Sequence, residues 1–147
     1  MVQEELVVEV LEAANEGHVA ALAQLLPQLS SAPSPDLMAL REIVGNPDTC
    51  LFVARLGDRI VGTLTLQTFR LLTGVRAWIE DVVVDEAARG RGAGSALVER
   101  AVAVARERGA VTVDLTSRPS REAANALYRR LGFSERETNV YRVSLEN

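Results

Sequence analysis

The segment that most restricts the fold is a change of period just past the middle of the chain. Residues 79–84, Ile-Glu-Asp-Val-Val-Val, end in the apolar run Val82-Val83-Val84 and read as the close of a long strand over "GVRAWIEDVVVDE". The acidic pair Asp85-Glu86 follows, then Gly90, Gly92 and Gly94 interleaved with Arg89 and Arg91. Beyond them Leu97, Val98, Ala101, Val102 and Ala105 recur at helical spacing until Gly109 stops the helix. A strand therefore hands over to a helix through a glycine loop that carries two arginines. A helix beginning near Gly94-Ser95 leaves its first N–H groups unpaired and carries a partial positive charge there. Glycines just before it let the backbone approach an anion with no side chain in the way. Taken alone, the loop fits a phosphate or pyrophosphate cradle or a flexible turn with solvated arginines.

Two nucleotide motifs are set aside by composition and spacing. All 16 basic residues are arginine, so no lysine exists to complete a G-x-x-x-x-G-K phosphate loop. The glycines run G-x-G-x-G rather than G-x-G-x-x-G, and they follow a late strand where the dinucleotide fingerprint follows a first one.

The remaining chain supplies elements on both sides of this loop. Residues 6–10 read as a first strand. The segment "NEGHVAALAQLLPQL" has Val19, Leu22, Leu25 and Leu26 at helical spacing, an Asn15 cap and a break at Pro27. The stretch "DLMALREIVGN" predicts a short helix ending at Gly45-Asn46, and Gly57-Asp58 signals a tight hairpin between two strands. "AVTVDLTS" reads as a further buried strand. Ser120 is expected to cap a helix whose apolar stripe is Ala124, Leu127, Tyr128 and Leu131, and "FSERETNVYRVSL" is expected to supply terminal strand material. The order is β-α-α-β-β-β-α-β-α-β, an α/β (α+β) chain with a mixed sheet and helices on both faces. A crossover through the helix over 95–108 sets strands 76–85 and 111–116 side by side and parallel. At 147 residues, with no linker or repeat, the whole of 1–147 is expected to be one domain.

Charge and composition exclude several classes. The net charge of −4 disfavours general affinity for nucleic acid, which needs a basic field. No apolar run approaches a membrane span, and the N-terminal "MVQEELVVEV" lacks a basic-then-apolar signal pattern, so a cytoplasmic protein is expected. The single cysteine, Cys50, excludes an intramolecular disulfide and reads as a buried small side chain. With one cysteine and one histidine, His18, neither a Cys-His nucleophile nor a zinc site has support, and no metal is expected.

The pattern Arg89-x-x-Gly92-x-Gly94, after Val82-Val83-Val84 and before a helix, resembles the acyl-CoA signature of the GNAT superfamily of N-acetyltransferases. The segment "EAANALYRRLGF", with Asn125, Tyr128 and Gly132-Phe133, resembles the helix that follows in that family. The two motifs stand at the family's separation, and the element order agrees over the whole chain. The resemblance implies a GNAT-like, mostly antiparallel sheet with a central parallel strand pair, and acetyl-CoA as co-substrate. It implies that the backbone of Val82, Val83 and Val84 holds the pantetheine arm as an added strand. The amides of Arg89, Gly90, Arg91, Gly92, Ala93, Gly94 and Ser95 then take the pyrophosphate. Asn125 meets the CoA arm, and Tyr128 stands near its sulfur to protonate the departing thiolate.

An ammonium acceptor must lose a proton before its nitrogen attacks the thioester, and a carboxylate can take it. Glu80 is the best candidate: strand alternation puts it on the face of Val82 and Val84, with Asp81 turned away unless a bulge intervenes. The "IED" triplet resembles the aminosugar-phosphate acetyltransferases of the superfamily, where this acidic pair lies at the substrate. The expected activity is acetyl transfer from acetyl-CoA to a primary amine, by direct attack in a ternary complex. A small-molecule acceptor leads, with a protein amine or a non-catalytic acyl-CoA sensor as alternatives. The N-terminal helices, the loop "RLLTGVR" and Phe69, Trp78 and Tyr141 are candidates to shape the acceptor pocket. Family habit allows a homodimer.

Overall fold

A computed structural model describes residues 4–146. They fall into two compact units, divided between Thr116 and Ser117, and each is described by itself.

The first unit is a five-stranded sheet in the order β1-β2-β3-β4-β5. Its strands are β1 (Leu6–Val10), β2 (Thr49–Leu56), β3 (Arg59–Leu71), β4 (Gly74–Val84) and β5 (Thr112–Asp114). The first three pairings are antiparallel; tight turns join β2 to β3 and β3 to β4, whereas residues 11–48 lead from β1 back to β2. The hairpin after β2 turns at Gly57, whose φ of 59° lies in the left-handed region that the sequence signal demands. Only β4 and β5 run parallel, as the crossover requires. β5 is shorter than the expected 111–116 run.

Three helices cover the sheet of this unit on both faces. Helices α1 (Glu16–Leu25) and α2 (Leu37–Gly45) bury Leu22 and Leu40 against Leu51 and Val53 of β2. Each such side chain contributes about 1.5–3 kcal/mol by leaving water. Asn15 caps α1 as expected. Its side chain accepts from the His18 amide while its own amide donates to the His18 ring, so the only histidine completes a capping box. Pro27 ends the α-helix, and a single 3-10 turn over Leu26–Gln28 follows. Helix α3 (Ala93–Glu107) covers the opposite face with Leu97, Val98, Ala101 and Ala105. Gly62 of β3 lies beneath it, with the Leu97 side chain 3.2 Å from where a Cβ would stand.

The second unit contains α4 (Glu122–Arg130). Its stripe forms as the sequence predicts, with Ala124, Leu127, Tyr128 and Leu131 turned from solvent and Ala123, Ala126 and Arg129 exposed. Two expectations in this region are corrected. Arg121, not Ser120, stands at the N-cap and makes no side-chain cap bond, because the first helical bond runs from the Asn125 amide to the Arg121 carbonyl. Among the described residues the terminal strand is absent: residues 134–146 belong to no helix or strand, and Tyr141, Val143 and Leu145 are exposed. Alternation becomes a strand only where a sheet edge takes up its backbone.

Candidate active site

β4 begins as a regular strand. Opposite residues of an antiparallel pair share a face, so Trp78 opposite Gln67 and Glu80 opposite Thr65 point toward the side of α1 and α2. The register then shifts: Thr65 faces Glu80, but Thr63 faces Val83. One residue of β3, Leu64, thus stands against two of β4, Asp81 and Val82, which is a β-bulge. Asp81 carries the distortion, with φ of 53°, the single non-glycine among the described residues in the left-handed region.

The bulge overturns the face assignment made from alternation. Glu80 shares its face with Trp78 and Val83, whereas Val84, opposite Gly62, points to the α3 side with Ile79. A two-residue period counts one residue too few where a bulge intervenes, so every position beyond Asp81 changes face. Glu80 and Asp81 are both exposed at this break, while Val83 is buried and Val82 and Val84 are half-buried.

On its other side, β4 pairs with β5 only through Arg76, Ala77 and Trp78. From Ile79 to Val84, no strand among the described residues pairs with that edge. The edge leads into a 3-10 turn over Glu86–Ala88, capped by Asp85, and then into the glycine loop. Gly90 and Gly92 have φ of 84° and 81°. A Cβ at either would meet nothing within 4 Å, so backbone conformation rather than crowding selects glycine there. Gly92 is the N-cap of α3, and the first helical bond runs from the Ala96 amide to the Gly92 carbonyl. The amides of Ala93, Gly94 and Ser95 are therefore left without intrahelical partners at the positive end of a 15-residue helix. Arg89 and Arg91 are exposed beside them. A left-handed turn, free amides and two guanidiniums suit a pyrophosphate, and the unpaired edge before them suits an extended amide chain such as pantetheine.

In the second unit, Asn125 donates its side-chain amide to the Arg118 carbonyl at 3.0 Å. Tyr128 is buried, and its place is set by the helix end. Gly132, at φ of 98°, lets the Phe133 amide reach the Tyr128 carbonyl at 2.9 Å and the Gly132 amide reach Arg129 at 3.1 Å. This Schellman ending brings the Phe133 and Tyr128 rings to a centroid distance of 5.9 Å in a tilted pair. Burial pushes the Tyr128 phenol up, against a lesser downward pull from Arg121. A phenol held in its neutral form is suited to giving a proton. Cys50 is buried in the first unit and its thiol is also pushed up by burial, with Arg108 and Arg100 opposing, which is the reverse of an activated nucleophile.

Sequence reasoning did not point to the partner of Glu80. The indole Nε1–H of Trp78 donates to its Oε1. The spacing W-x-E on a strand was the available signal, because it sets both side chains on one face. Phe69 lies by contrast at the start of the β3–β4 hairpin, in a cleft of about 410 Å³ with Arg70, Val75 and Arg108. A larger cleft of about 650 Å³ lies between α1 and the β2–β3 hairpin and includes His18, Arg55, Arg59 and Asp85. Neither cleft contains Glu80 or a loop glycine.

Comparison with known proteins gives the family of the chain. Residues 9–133 match the model of the acetyltransferase (GNAT) family. The chain belongs to the GNAT family of acetyltransferases. It is 32% identical to the N-alpha-acetyltransferase MAK3 of Arabidopsis thaliana over 126 residues, covering 86% of this chain and 66% of that one. It is 35% identical to a probable glucosamine 6-phosphate N-acetyltransferase 2 of Oryza sativa subsp. japonica over 130 residues, 83% of this chain and 76% of that one. In three dimensions it matches a Trypanosoma brucei acetyltransferase with a TM-score of 0.78 and 30% identity, over 96% of this chain and all of that one. The chain thus spans just under two thirds of the Arabidopsis relative.

Proposed function

We propose that the chain moves an acetyl group from acetyl-CoA to a primary amine by direct attack in a ternary complex, and that the acceptor is a small molecule. The observation that carries this reading is the continuity of β4 with the glycine loop: an edge that no described strand pairs from Ile79 to Val84 runs into amides without intrahelical partners at Ala93, Gly94 and Ser95. Acetyl-CoA, when bound, supplies the acetyl group as a thioester. The backbone of Val82 to Val84 binds its pantetheine arm, and the amides from Arg89 to Ser95 bind its pyrophosphate. The Asn125 side chain adds a contact to the arm. Glu80 takes a proton from the acceptor's ammonium, directly or through a water, so that nitrogen has a lone pair for the acyl carbon. As the C–S bond breaks, Tyr128 gives its phenolic proton to the sulfur. Asp81, exposed at the bulge beside Glu80, helps hold the cationic acceptor.

A small acceptor is supported by the "IED" triplet and by the rice relative, whose name specifies an aminosugar phosphate. The Arabidopsis relative, an N-alpha-acetyltransferase, favours a protein N-terminus as the second reading. A thiol-release assay with acetyl-CoA tests both, using aminosugars, aminosugar phosphates, polyamines and short peptides with free N-termini. Turnover on the small amines is the expected result, and turnover on peptides alone would favour the second reading. Tight CoA binding without turnover on any amine would reduce the chain to an acyl-CoA sensor.

A further inference from the structure

We infer that Trp78 is a positioning residue for Glu80: its indole N–H holds the carboxylate in the rotamer from which it takes the acceptor's proton. The inference deepens the role assigned to Glu80 above and rests on it.

Glu80 is exposed on a strand that breaks register at the next residue, and a glutamate there has three free side-chain torsions. Among the described residues, the only hydrogen bond of its side chain is the one from Trp78 Nε1 to Oε1. The donor is the better fixed of the two. Trp78 is half-buried and stands in a row across four strands, opposite Gln67 on β3 and Asp114 on β5. Gln67 is itself held by the Thr49 hydroxyl of β2, which donates to its Oε1 at 2.7 Å. An indole N–H donates and cannot accept, so it orients the carboxylate without competing for the proton. With Oε1 engaged, Oε2 is left for the acceptor. The same bond explains why the acid precedes the bulge: two residues on, alternation is lost, and a glutamate at 82 would not share a face with Trp78.

Trp78 is the only tryptophan, so one indole N–H resonance reports on the bond without any turnover. In Glu80→Ala that resonance moves upfield; an unmoved resonance would overturn the inference. Kinetics give the second readout, with the best acceptor of the amine panel. Trp78→Phe keeps a ring and removes the donor, and it lowers kcat roughly tenfold with the KM for acetyl-CoA unchanged. Placed in a Glu80→Ala background, Trp78→Phe has no further effect. An equal loss in both backgrounds means that Trp78 acts only through packing, and the inference fails while the role of Glu80 stands. A Glu80→Ala variant with full kcat would instead remove the base itself. Should Trp78→Phe not fold, Trp78→Leu supplies the same cycle.

Discussion

Burial holds the Tyr128 phenol above its ordinary value of 10.0, and the sign of that shift bears on catalysis. A raised value keeps the proton on oxygen at neutral and mildly alkaline pH, which suits the acid role proposed for Tyr128. Activity that depends on this proton persists to about pH 10 and falls only above it, as the phenol ionises. Tyr128→Phe keeps the tilted contact with Phe133 and removes the proton. It is expected to lower kcat about a hundredfold with CoA affinity unchanged, measured by thiol release and by calorimetry. An unchanged rate would reject Tyr128 as the acid. Among the described residues, neither Tyr128 nor Glu80 is held by an ion pair: one is set by a helix ending, the other by an indole.

At the level of elements, the strand-loop-helix unit depends on backbone conformation more than on side chains. Gly92 sits at φ of 81° as the N-cap of α3, and any β-branched residue there strains the turn by about 1–2 kcal/mol. Gly92→Val should weaken CoA binding roughly tenfold in calorimetric titration, whereas Gly92→Asn, which tolerates the left-handed region, should lose less. Equal affinity for all three proteins would count against the pyrophosphate cradle. This unit was legible in the sequence because glycine spacing and helical periodicity are local signals. The bulge was not: Asp81 looks like any strand residue, and only pairing with β3 reveals that Leu64 faces two residues. The missing strand over 134–146 was likewise hidden, since alternation alone supplies no partner strand, while the α4 cap shifts from Ser120 to Arg121 because the first helical bond runs from the Asn125 amide to the Arg121 carbonyl.

For the molecule as a whole, the family match over 9–133 crosses the division at Thr116. We propose that the two units form one acetyltransferase domain and unfold together. Trp78 fluorescence reports on the first unit, and hydrogen exchange of the α4 amides reports on the second. One cooperative domain requires the same unfolding free energy from both. A lower value for α4 would mark a separate domain.

Local patterns in the chain settled the element order as far as α4, the glycine loop, the apolar stripes of α3 and α4, and the absence of a lysine-based phosphate loop. Each follows from a period or a residue type that neighbours in sequence express without help. Tertiary structure decided which face Glu80 occupies, that Trp78 holds it, how early β5 leaves the edge of β4, and whether the last apolar alternation becomes a strand. These depend on pairing between distant segments. A backbone hydrogen bond or a bulge is set by the strand opposite, and no single stretch of sequence contains both partners.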